Sequence, residues 1–398
     1  MDGRRVDIAI IGGGLAGGLI AAALARHRPE VALALVEAGE TLGGNHRWSW
    51  FASDLPPEGA ALMESFPHAA WEQGYDVRFP GLARTLATPY RSLASGTFDA
   101  TLRRLLPEGA ILTGTRALVL DEREVTLEGG GRLSAGAVID CRGQGFSPHL
   151  TGGWQLFYGR HLRTAVPHGL TRPVIMDATV EQYAAYRFVY VLPLAPDEIF
   201  VEDTYYTDDP RLDREALGLR VAAYCERHGW AGETLGEETG VLPVVDGGNF
   251  GGFTGEHHAP GVARAGARGG FFHPLTSYSL PQAVEVALAI AHAPDLGGPA
   301  LVALLEERAA RHWSRTGFYR RLARMLFGGA VPGERWRIFE RFYGLDKALI
   351  ERFYAGRSSL ADKLRILIGK PPVPLGKALG ALFSQGRPLE APPAEEAA

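Results

Sequence analysis

The chain has 398 residues, of which 46% are hydrophobic and 22% charged, which is typical of a globular protein with one large domain or two interleaved domains. Its net charge of −4 argues against a nucleic-acid partner, and its two cysteines are too few for a disulfide framework or a structural zinc site, so a reducing compartment is expected. No apolar run reaches the ~20 residues of a membrane-spanning helix, and no signal peptide is evident, so we expect a cytoplasmic protein. Metal-ligating residues form no cluster in the sequence, and no metal site is predicted.

The chain begins with an expected strand, a glycine-rich turn and a helix. VDIAII at residues 6–11 predicts a buried parallel strand, LIAAALARH predicts a helix, and VALALVE predicts a second strand that ends at Glu37. Three glycines between the first strand and the helix fit G-x-G-x-x-G. Gly12 suits the tight turn, Gly14 the approach of a pyrophosphate, and Gly17 close packing of helix and strand.

The acid at the end of the second strand indicates the type of dinucleotide. Glu37 follows Gly17 by twenty residues, a distance at which a carboxylate can bind a ribose hydroxyl and disfavour a 2′-phosphate. We therefore expect FAD or NAD rather than NADP, with a purely structural glycine turn as the alternative. The residues expected to contact the dinucleotide are Gly12, Gly13, Gly14, Leu15, Ala16, Gly17 and Glu37.

A second glycine-rich segment, at residues 263–291, leads into an apolar helix. Ser279 is predicted as the cap of this helix and Pro281 as part of its first turn. FAD-binding folds hold the flavin ring with a late loop of this kind, since the helix dipole favours negative charge on the ring. The segment therefore favours FAD over NAD, and an ordinary loop and helix is the alternative.

Eight stretches, in this order along the chain, resemble the bacterial lycopene β-cyclases, which are flavoproteins of carotenoid synthesis. They are GGNHRWSWF (43–51), YRSLASGTFDATL (90–102), VIDCRG (138–143), MDATVEQYAAYRFVYVLPL (176–194), FVEDTYY (200–206), GVLPVV (240–245), RAGARGGFFHPLTSYSLP (264–281) and KPPVP (370–374). The resemblance implies the α/β, FAD-binding Rossmann-like fold of flavin hydroxylases and geranylgeranyl reductases. It also implies FAD that acts in its reduced form, with NAD(P)H as electron donor. The implied reaction converts the ψ-end groups of lycopene to β-rings, giving γ-carotene and then β-carotene without net redox change.

By analogy with related flavoproteins, the loop that contains GGNHRWSWF runs beside FAD. Three further residues are expected to contact the cofactor: Arg47, Arg268 and Ser279. Three aromatic residues are expected to line a pocket for a large apolar substrate: Trp48, Trp50 and Phe51.

FVEDTYY carries the candidate catalytic residues, Glu202 and Asp203, in an otherwise apolar strand. Alternation along a strand points them to opposite faces, so only one can face the substrate. The stretch is similar to the Phe-Leu-Glu-Glu-Thr signature of the family, whose first acid is essential, which implies that role for Glu202. Apolar surroundings raise the pKa of a carboxyl group, which suits a proton donor. A solvated acid pair is the alternative, and whether Glu202 or the reduced flavin donates the proton stays open.

The last part of the chain is basic. Between Arg311 and Arg387 sixteen Lys/Arg stand against five Asp/Glu, a net charge of +11, so the remainder carries −15. With its aromatic residues, the stretch fits either an anionic membrane surface or a solvated helical face. The arginines expected at the membrane are Arg320, Arg321, Arg324, Arg335, Arg337 and Arg341. The expected partners are lycopene from the bilayer and possible further enzymes of carotenoid synthesis, with peripheral association to the inner membrane.

The expected organisation is an FAD-binding domain at 1–150 and 255–300, a β-rich substrate domain at 151–254 and a helical segment at 301–398. An aromatic run is predicted either to wall the substrate channel or to fill a sheet core: Tyr183, Tyr186, Phe188 and Tyr190. Two other functions are weighed against a cyclase. One is an FAD-dependent hydroxylase or prenyl reductase of the same fold. The other is a carotenoid carrier without activity, against which the dinucleotide motif argues.

Overall fold

The computed structural model describes residues 4–143, 147–368 and 375–390, so the KPPVP stretch at 370–374 lies outside the described residues. The strands in these ranges are β1 (Arg4–Ile11), β2 (Leu33–Val36), β3 (Arg47–Phe51), β4 (Ala69–Trp71), β5 (Tyr75–Phe79), β6 (Leu82–Leu86), β7 (Tyr90–Ala94), β8 (Ile111–Leu112), β9 (Ala117–Leu120), β10 (Glu124–Leu127), β11 (Arg132–Asp140), β12 (Ser147–Thr164), β13 (Val174–Asp177), β14 (Tyr186–Ala195), β15 (Glu198–Thr207), β16 (Gly232–Gly248), β17 (Ala263–Arg264) and β18 (Pro388–Leu389). The helices are α1 (Leu15–His27), α2 (Pro57–Met63), α3 (Ser95–Leu105), α4 (Arg214–Arg227), α5 (Phe250–Glu256), α6 (Leu280–Ala291), α7 (Gly298–Arg315), α8 (Gly317–Gly329), α9 (Trp336–Tyr343), α10 (Lys347–Tyr354), α11 (Leu360–Leu367) and α12 (Leu375–Phe383).

The first sheet has the order β8-β2-β1-β11-β10-β9, and β17 pairs with β11. β1 is parallel to both β2 and β11, and these strands are largely apolar because helices cover the sheet. α1 and α6 pack together on this sheet. The predicted first strand and helix are confirmed, and the second strand ends at Val36, immediately before Glu37. A crevice at the carboxyl ends of such parallel strands is where α/β folds bind ligands.

The second sheet has the order β16-β12-β15-β14-β13-β5-β6, with β18 added to β12. Its strands pair antiparallel except for β13 with β5. Two strands at residues 75–86 come from the part of the chain predicted as nucleotide-binding, and the predicted boundary at residue 151 falls inside β12. The sheet therefore draws strands from two parts of the sequence, which strand periodicity alone does not reveal.

A small third sheet has the order β3-β7-β4, and its Trp50 and Leu93 pack in the core of the first sheet. Its Phe51 and Tyr90 share a core with Phe200 of the second sheet and with Tyr343 and Tyr354 of the C-terminal helices. The helices predicted after residue 300 are thus part of the same body as the second sheet. Within the described ranges, no helix combines the length and apolar character needed to cross a membrane.

Three arginines of the basic C-terminal stretch that are predicted to face a membrane make contacts within the protein. Arg335 is 0% exposed and pairs with Asp208 at 2.8 Å. Arg324 pairs with the buried Asp246 at 2.7 Å. The guanidinium of Arg320 lies 3.6 Å from the ring centroid of Trp313. Acids at distant positions in the chain pair with Arg335 and Arg324, and the predicted surface role is wrong for Arg335, which is fully buried.

Candidate active site

The glycine-rich turn after β1 has the geometry that its sequence predicts. Gly12 has φ +102°, and a Cβ there would lie 2.8 Å from the backbone of Cys141 and Arg142. A Cβ on Gly17 would lie 2.0 Å from the carbonyl oxygen of Gly12, so only glycine permits this contact of helix and strand. A Cβ on Gly14 would have no described atom within 4 Å, which leaves space at the start of α1 for an anionic group. The cradle therefore fits a pyrophosphate.

The Glu37 carboxylate already binds the backbone of this region. Its Oε2 accepts a hydrogen bond from the Gly13 amide at 2.7 Å, and its Oε1 accepts one from the Gly39 amide at 2.8 Å. A carboxylate has about four lone-pair sites, so two remain for the ribose hydroxyl expected from the sequence. Glu37 thus fixes the turn and keeps capacity for a ligand.

The two glycine-rich segments meet in the fold. Gly266 has φ +61°, and a Cβ there would lie 2.8 Å from the Cβ of Ala16 in the first turn of α1. Arg268 Nη1 donates to Asp140 Oδ2 at 2.9 Å, which ties the late loop to the end of β11. The side chain expected to contact FAD is therefore engaged by a buried acid of the protein. Ser279 occupies the cap position of α6 as predicted, but its side chain makes no capping hydrogen bond.

Glu202 lies in the middle of β15, between Gly159 of β12 and Tyr190 of β14. Its Oε1 accepts a hydrogen bond from Thr204 Oγ1 at 2.7 Å. Burial raises the pKa of Glu202 to about 8, and the charge of Glu238 adds to this effect. The predicted direction of this shift is thus found, and Glu202 carries a proton near neutral pH.

Asp203 faces the other side of the sheet. It is fully buried, and its Oδ1 accepts from Arg187 Nε at 2.7 Å while its Oδ2 accepts from the Tyr205 hydroxyl at 2.8 Å. Burial raises the pKa of Asp203, and Arg187 opposes that shift. The expected alternation is present. Asp203 is thus engaged by an ion pair on the face opposite to Glu202.

Arg47, at the start of β3, reaches the same face as Glu202. Its guanidinium carbon lies 5.5 Å from the ring centroid of Phe200, and its Nη1 makes a long hydrogen bond of 3.4 Å to Ser92 Oγ. Burial lowers the pKa of Arg47. The aromatic neighbours of Arg47 lie elsewhere, since Trp50 and Phe51 are 3% and 1% exposed and belong to two different cores. These two residues contribute to packed cores, and Phe51 shares its core with Phe200, so their predicted role as the lining of a pocket stays a prediction.

A chain of hydroxyl groups runs from Tyr190, which is paired with Glu202 on the neighbouring strand, to the second glycine-rich segment. Tyr190 donates to Ser49 Oγ at 2.8 Å, and its hydroxyl lies 3.0 Å from that of Tyr90. The Tyr90 hydroxyl in turn lies 3.2 Å from that of Tyr278, in the predicted flavin loop. Sequence reasoning considered Tyr190 but missed Tyr90 and Tyr278, whose stretches it quoted only for their resemblance.

One further carboxyl group near Glu202 was missed from the sequence. Glu238 on β16 is 8% exposed, and its Oε1 accepts a hydrogen bond from the Arg47 amide at 3.1 Å. It stands two residues before the GVLPVV stretch, where Leu235 and Val241 share a strand face with Glu237 rather than with Glu238. Apolar alternation therefore gives no signal that Glu238 is the buried acid.

The fold also brings together three residues of metal-ligating types that are far apart in the sequence. Among the described residues, ligand atoms of His27, Glu58 and His292 lie within 4.8 Å of one another. These residues are far apart in the sequence, so no sequence pattern indicates this group. The group is at the surface, away from Glu202, and the acid is hydrogen-bonded to His292 at 2.5 Å.

Comparisons with known proteins agree with this geometry. A family model described as lycopene cyclase protein matches residues 7–379. The chain is 48% identical over 379 residues to a lycopene beta-cyclase from Pseudescherichia vulneris, covering 95% of this chain and 97% of the relative. It is 43% identical over 382 residues to a lycopene beta-cyclase from Paracoccus sp. (strain N81106 / MBIC 01143), covering 94% and 97%.

Among solved structures, the chain is similar to a geranylgeranyl bacteriochlorophyll reductase-like protein from Thermoplasma acidophilum. The TM-score is 0.60 at 13% identity, over 96% of this chain and 100% of that one. An identity this low speaks for the fold alone, and the predicted FAD-binding Rossmann-like α/β fold is confirmed. Since the family model and the two curated relatives span nearly all of the sequence, the chain belongs to the lycopene cyclase family.

Proposed function

We propose that this protein is a lycopene β-cyclase that converts the ψ-end groups of lycopene to β-rings, giving γ-carotene and then β-carotene. The observation that carries the proposal is Glu202, a carboxylic acid held neutral by burial on a strand of the second sheet. Cyclisation begins with protonation of C2 of the terminal double bond. Attack of the C5–C6 double bond on the resulting C1 cation closes the ring, and loss of the C6 proton completes it.

Expression in cells that accumulate lycopene tests this function directly. Pigment analysis should show γ-carotene and β-carotene at the expense of lycopene. Lycopene left unchanged by well-expressed, flavin-loaded protein would refute the proposal.

The residues of the glycine turn, with Glu37 and the late loop, would hold FAD. Their support is the open space beside Gly14, the remaining acceptor capacity of Glu37, and the contact of Gly266 with Ala16. When bound and reduced by NAD(P)H, FAD would supply negative charge that stabilises a nearby cation. Arg47 offers guanidinium donors on the Glu202 face, so it is our candidate for holding an anionic edge of the cofactor.

The side chains around Glu202 suit a carbocation. Phe188 and Phe200 are buried on the same side of the second sheet, and their ring faces can stabilise positive charge. These rings would also help to exclude the water that would trap the cation as an alcohol. Glu202 itself holds the proton at its carboxyl oxygen, with Thr204 as hydrogen-bond partner.

An FAD-dependent hydroxylase or prenyl reductase is the second candidate, because the same fold hosts both chemistries. Reduced enzyme and lycopene under anaerobic conditions separate the candidates. A cyclase turns over many substrate molecules without net oxidation of NAD(P)H, whereas a reductase consumes one equivalent per double bond. A hydroxylase gives no product without oxygen.

The substrate lies in the bilayer, so we propose peripheral association with the cytoplasmic leaflet of the inner membrane. The supporting surface is the outer face of α11. Four apolar residues on it are 51% to 79% exposed: Leu360, Leu364, Leu367 and Ile368. Arg365 on this helix is also exposed, which suits anionic headgroups. This apolar ridge replaces the buried arginines as the proposed membrane contact.

A further inference from the structure

The proposed function leaves the buried acid Glu238 without a role. β12 lies between β15 and β16, and its Gly159 is opposite Glu202 on one side and opposite Glu238 on the other. Directly opposed residues of antiparallel strands point to the same face. Two strand spacings put the Cα atoms of the two acids about 10 Å apart. The acids therefore flank one glycine on the face that carries Glu202.

An aromatic ring lies over the glycine that separates the two acids on the sheet. A Cβ on Gly159 would lie 2.3 Å from the ring of Phe200, so the ring covers this glycine. Because Gly159 has no side chain, nothing on β12 separates the two carboxyl groups at this position.

The two acids have different partners. Glu238 Oε1 accepts a hydrogen bond from the Arg47 amide at 3.1 Å, and His46 Nδ1 lies 3.7 Å away. Glu202 accepts from the Thr204 hydroxyl. A backbone amide and an imidazole stabilise an anion better than a hydroxyl does. Of two neighbouring buried carboxyls, the one with the weaker donors keeps its proton.

We propose that Glu238 is a positioning residue for the reaction, whose negative charge keeps Glu202 protonated and ready to donate. This inference rests on the proposed function of Glu202 as the acid. Glu238 acts through Glu202. Burial is the largest cause of the raised pKa of Glu202, and the charge of Glu238 is the second.

Other charged or titratable groups face this pair from each neighbouring element. They are His46 and Arg47 from β3 and its approach, His161 from β12 and Tyr190 from β14. Asp203 faces the opposite side of β15, but its charge also acts on Glu202. Burial lowers the pKa of His161 and raises that of Tyr190, so both are neutral near pH 7. The positive charge of Arg47 opposes the effect of Glu238 on the proton of Glu202. Arg47 is kept unchanged in the experiment below.

The test is Glu238→Gln in the full-length, FAD-loaded enzyme, with Glu237→Gln as the matched control. Glu237 is adjacent but faces the other side, where it accepts hydrogen bonds from Tyr158 and Arg214. We expect the alkaline limb of the kcat profile to move to lower pH by roughly one unit in Glu238→Gln. The profile of Glu237→Gln should match the wild type. An unmoved limb in Glu238→Gln, or an equal loss at every pH, would overturn the inference.

A second measurement does not depend on cyclase activity. Wild type and Glu238→Gln are each compared with the same protein carrying Glu202→Gln. The difference in unfolding temperature within each pair, measured against pH, reports the titration of Glu202. Its midpoint should lie at lower pH in the Glu238→Gln background, even if lycopene is not the substrate. If Glu238→Gln does not fold, Glu238→Asp retains the charge and should keep the wild-type midpoint. A midpoint that falls in Glu238→Asp, or stays fixed in Glu238→Gln, refutes the role of charge.

Discussion

Glu202 and Asp203 are consecutive in the chain, yet one carboxyl group is held neutral beside a threonine and the other is locked in an ion pair with Arg187. Their opposite orientations on β15 give them separate environments. Substitution of each acid by its amide should therefore have a different consequence, one on the reaction and one on stability.

Glu202→Gln is expected to lower lycopene conversion by at least ~100-fold, because the amide keeps the shape but cannot donate the proton. Flavin content should be unchanged. Product formation by chromatography and flavin absorbance measure the two quantities. Conversion near the wild-type rate would remove Glu202 from its assigned role.

Asp203→Asn is expected to lower the free energy of unfolding by about 3 kcal/mol or more, because it leaves Arg187 as a buried, uncompensated cation. Denaturant unfolding measures this change. Double replacement by Asp203→Asn and Arg187→Met should recover part of the loss. A single variant as stable as the wild type would contradict the structural role.

The pH dependence follows from the pKa of Glu202, raised by burial to about 8. The protonated acid is present below that pH, so kcat should fall as pH rises above about 8. The free energy of unfolding also decreases as pH rises. The folded state binds the proton of Glu202 more tightly than the unfolded state, so the stabilisation from this proton is complete at low pH and is lost as pH rises from about 4.5 to about 8. Wild type should lose stability relative to Glu202→Gln across this window. Parallel stability curves for the two proteins would show that the acid titrates normally.

Two glycine variants separate flavin binding from folding. Gly14→Val should fold but lose FAD, since the space beside Gly14 is open in the protein and is needed for the pyrophosphate. Gly17→Val should fail to fold stably, because its Cβ would meet the Gly12 carbonyl. Circular dichroism and flavin absorbance distinguish the outcomes. Retention of FAD by folded Gly14→Val would place the cofactor elsewhere.

The α11 ridge is tested with anionic liposomes. Leu360→Glu with Leu364→Glu should reduce sedimentation with the vesicles by at least ~10-fold, and binding of the wild type should weaken as salt rises. Leu118→Glu with Val119→Glu is the matched control, because these residues are also exposed and apolar but lie on β9. Equal losses in both pairs would show a general effect of added negative charge.

The parts of the site that obey local rules were readable from the sequence. Gly12 and Gly17 follow from a fixed motif, and the opposite faces of Glu202 and Asp203 follow from strand alternation. Their geometry needs only the nearest elements of the chain, which the pattern itself identifies.

Features that depend on distant pairing were not readable. Arg335 looks like a surface cation until Asp208, 127 residues earlier, is known to lie beside it. The neighbourhood of Glu238 and Glu202 depends on the register of both with β12, which no local pattern sets. The same holds for the two strands at 75–86 that join the second sheet.

The contact of Gly266 with Ala16 has a consequence for biosynthesis, because it joins positions 250 residues apart in the chain. At roughly 5–20 residues per second, the ribosome needs roughly 10–50 s to supply the second half of the cradle after the first has emerged. During this interval the apolar surface of α1 lacks α6 as its packing partner. Flavin loading is therefore expected near the end of synthesis, and nascent chains halted before residue 280 should bind chaperones rather than cofactor.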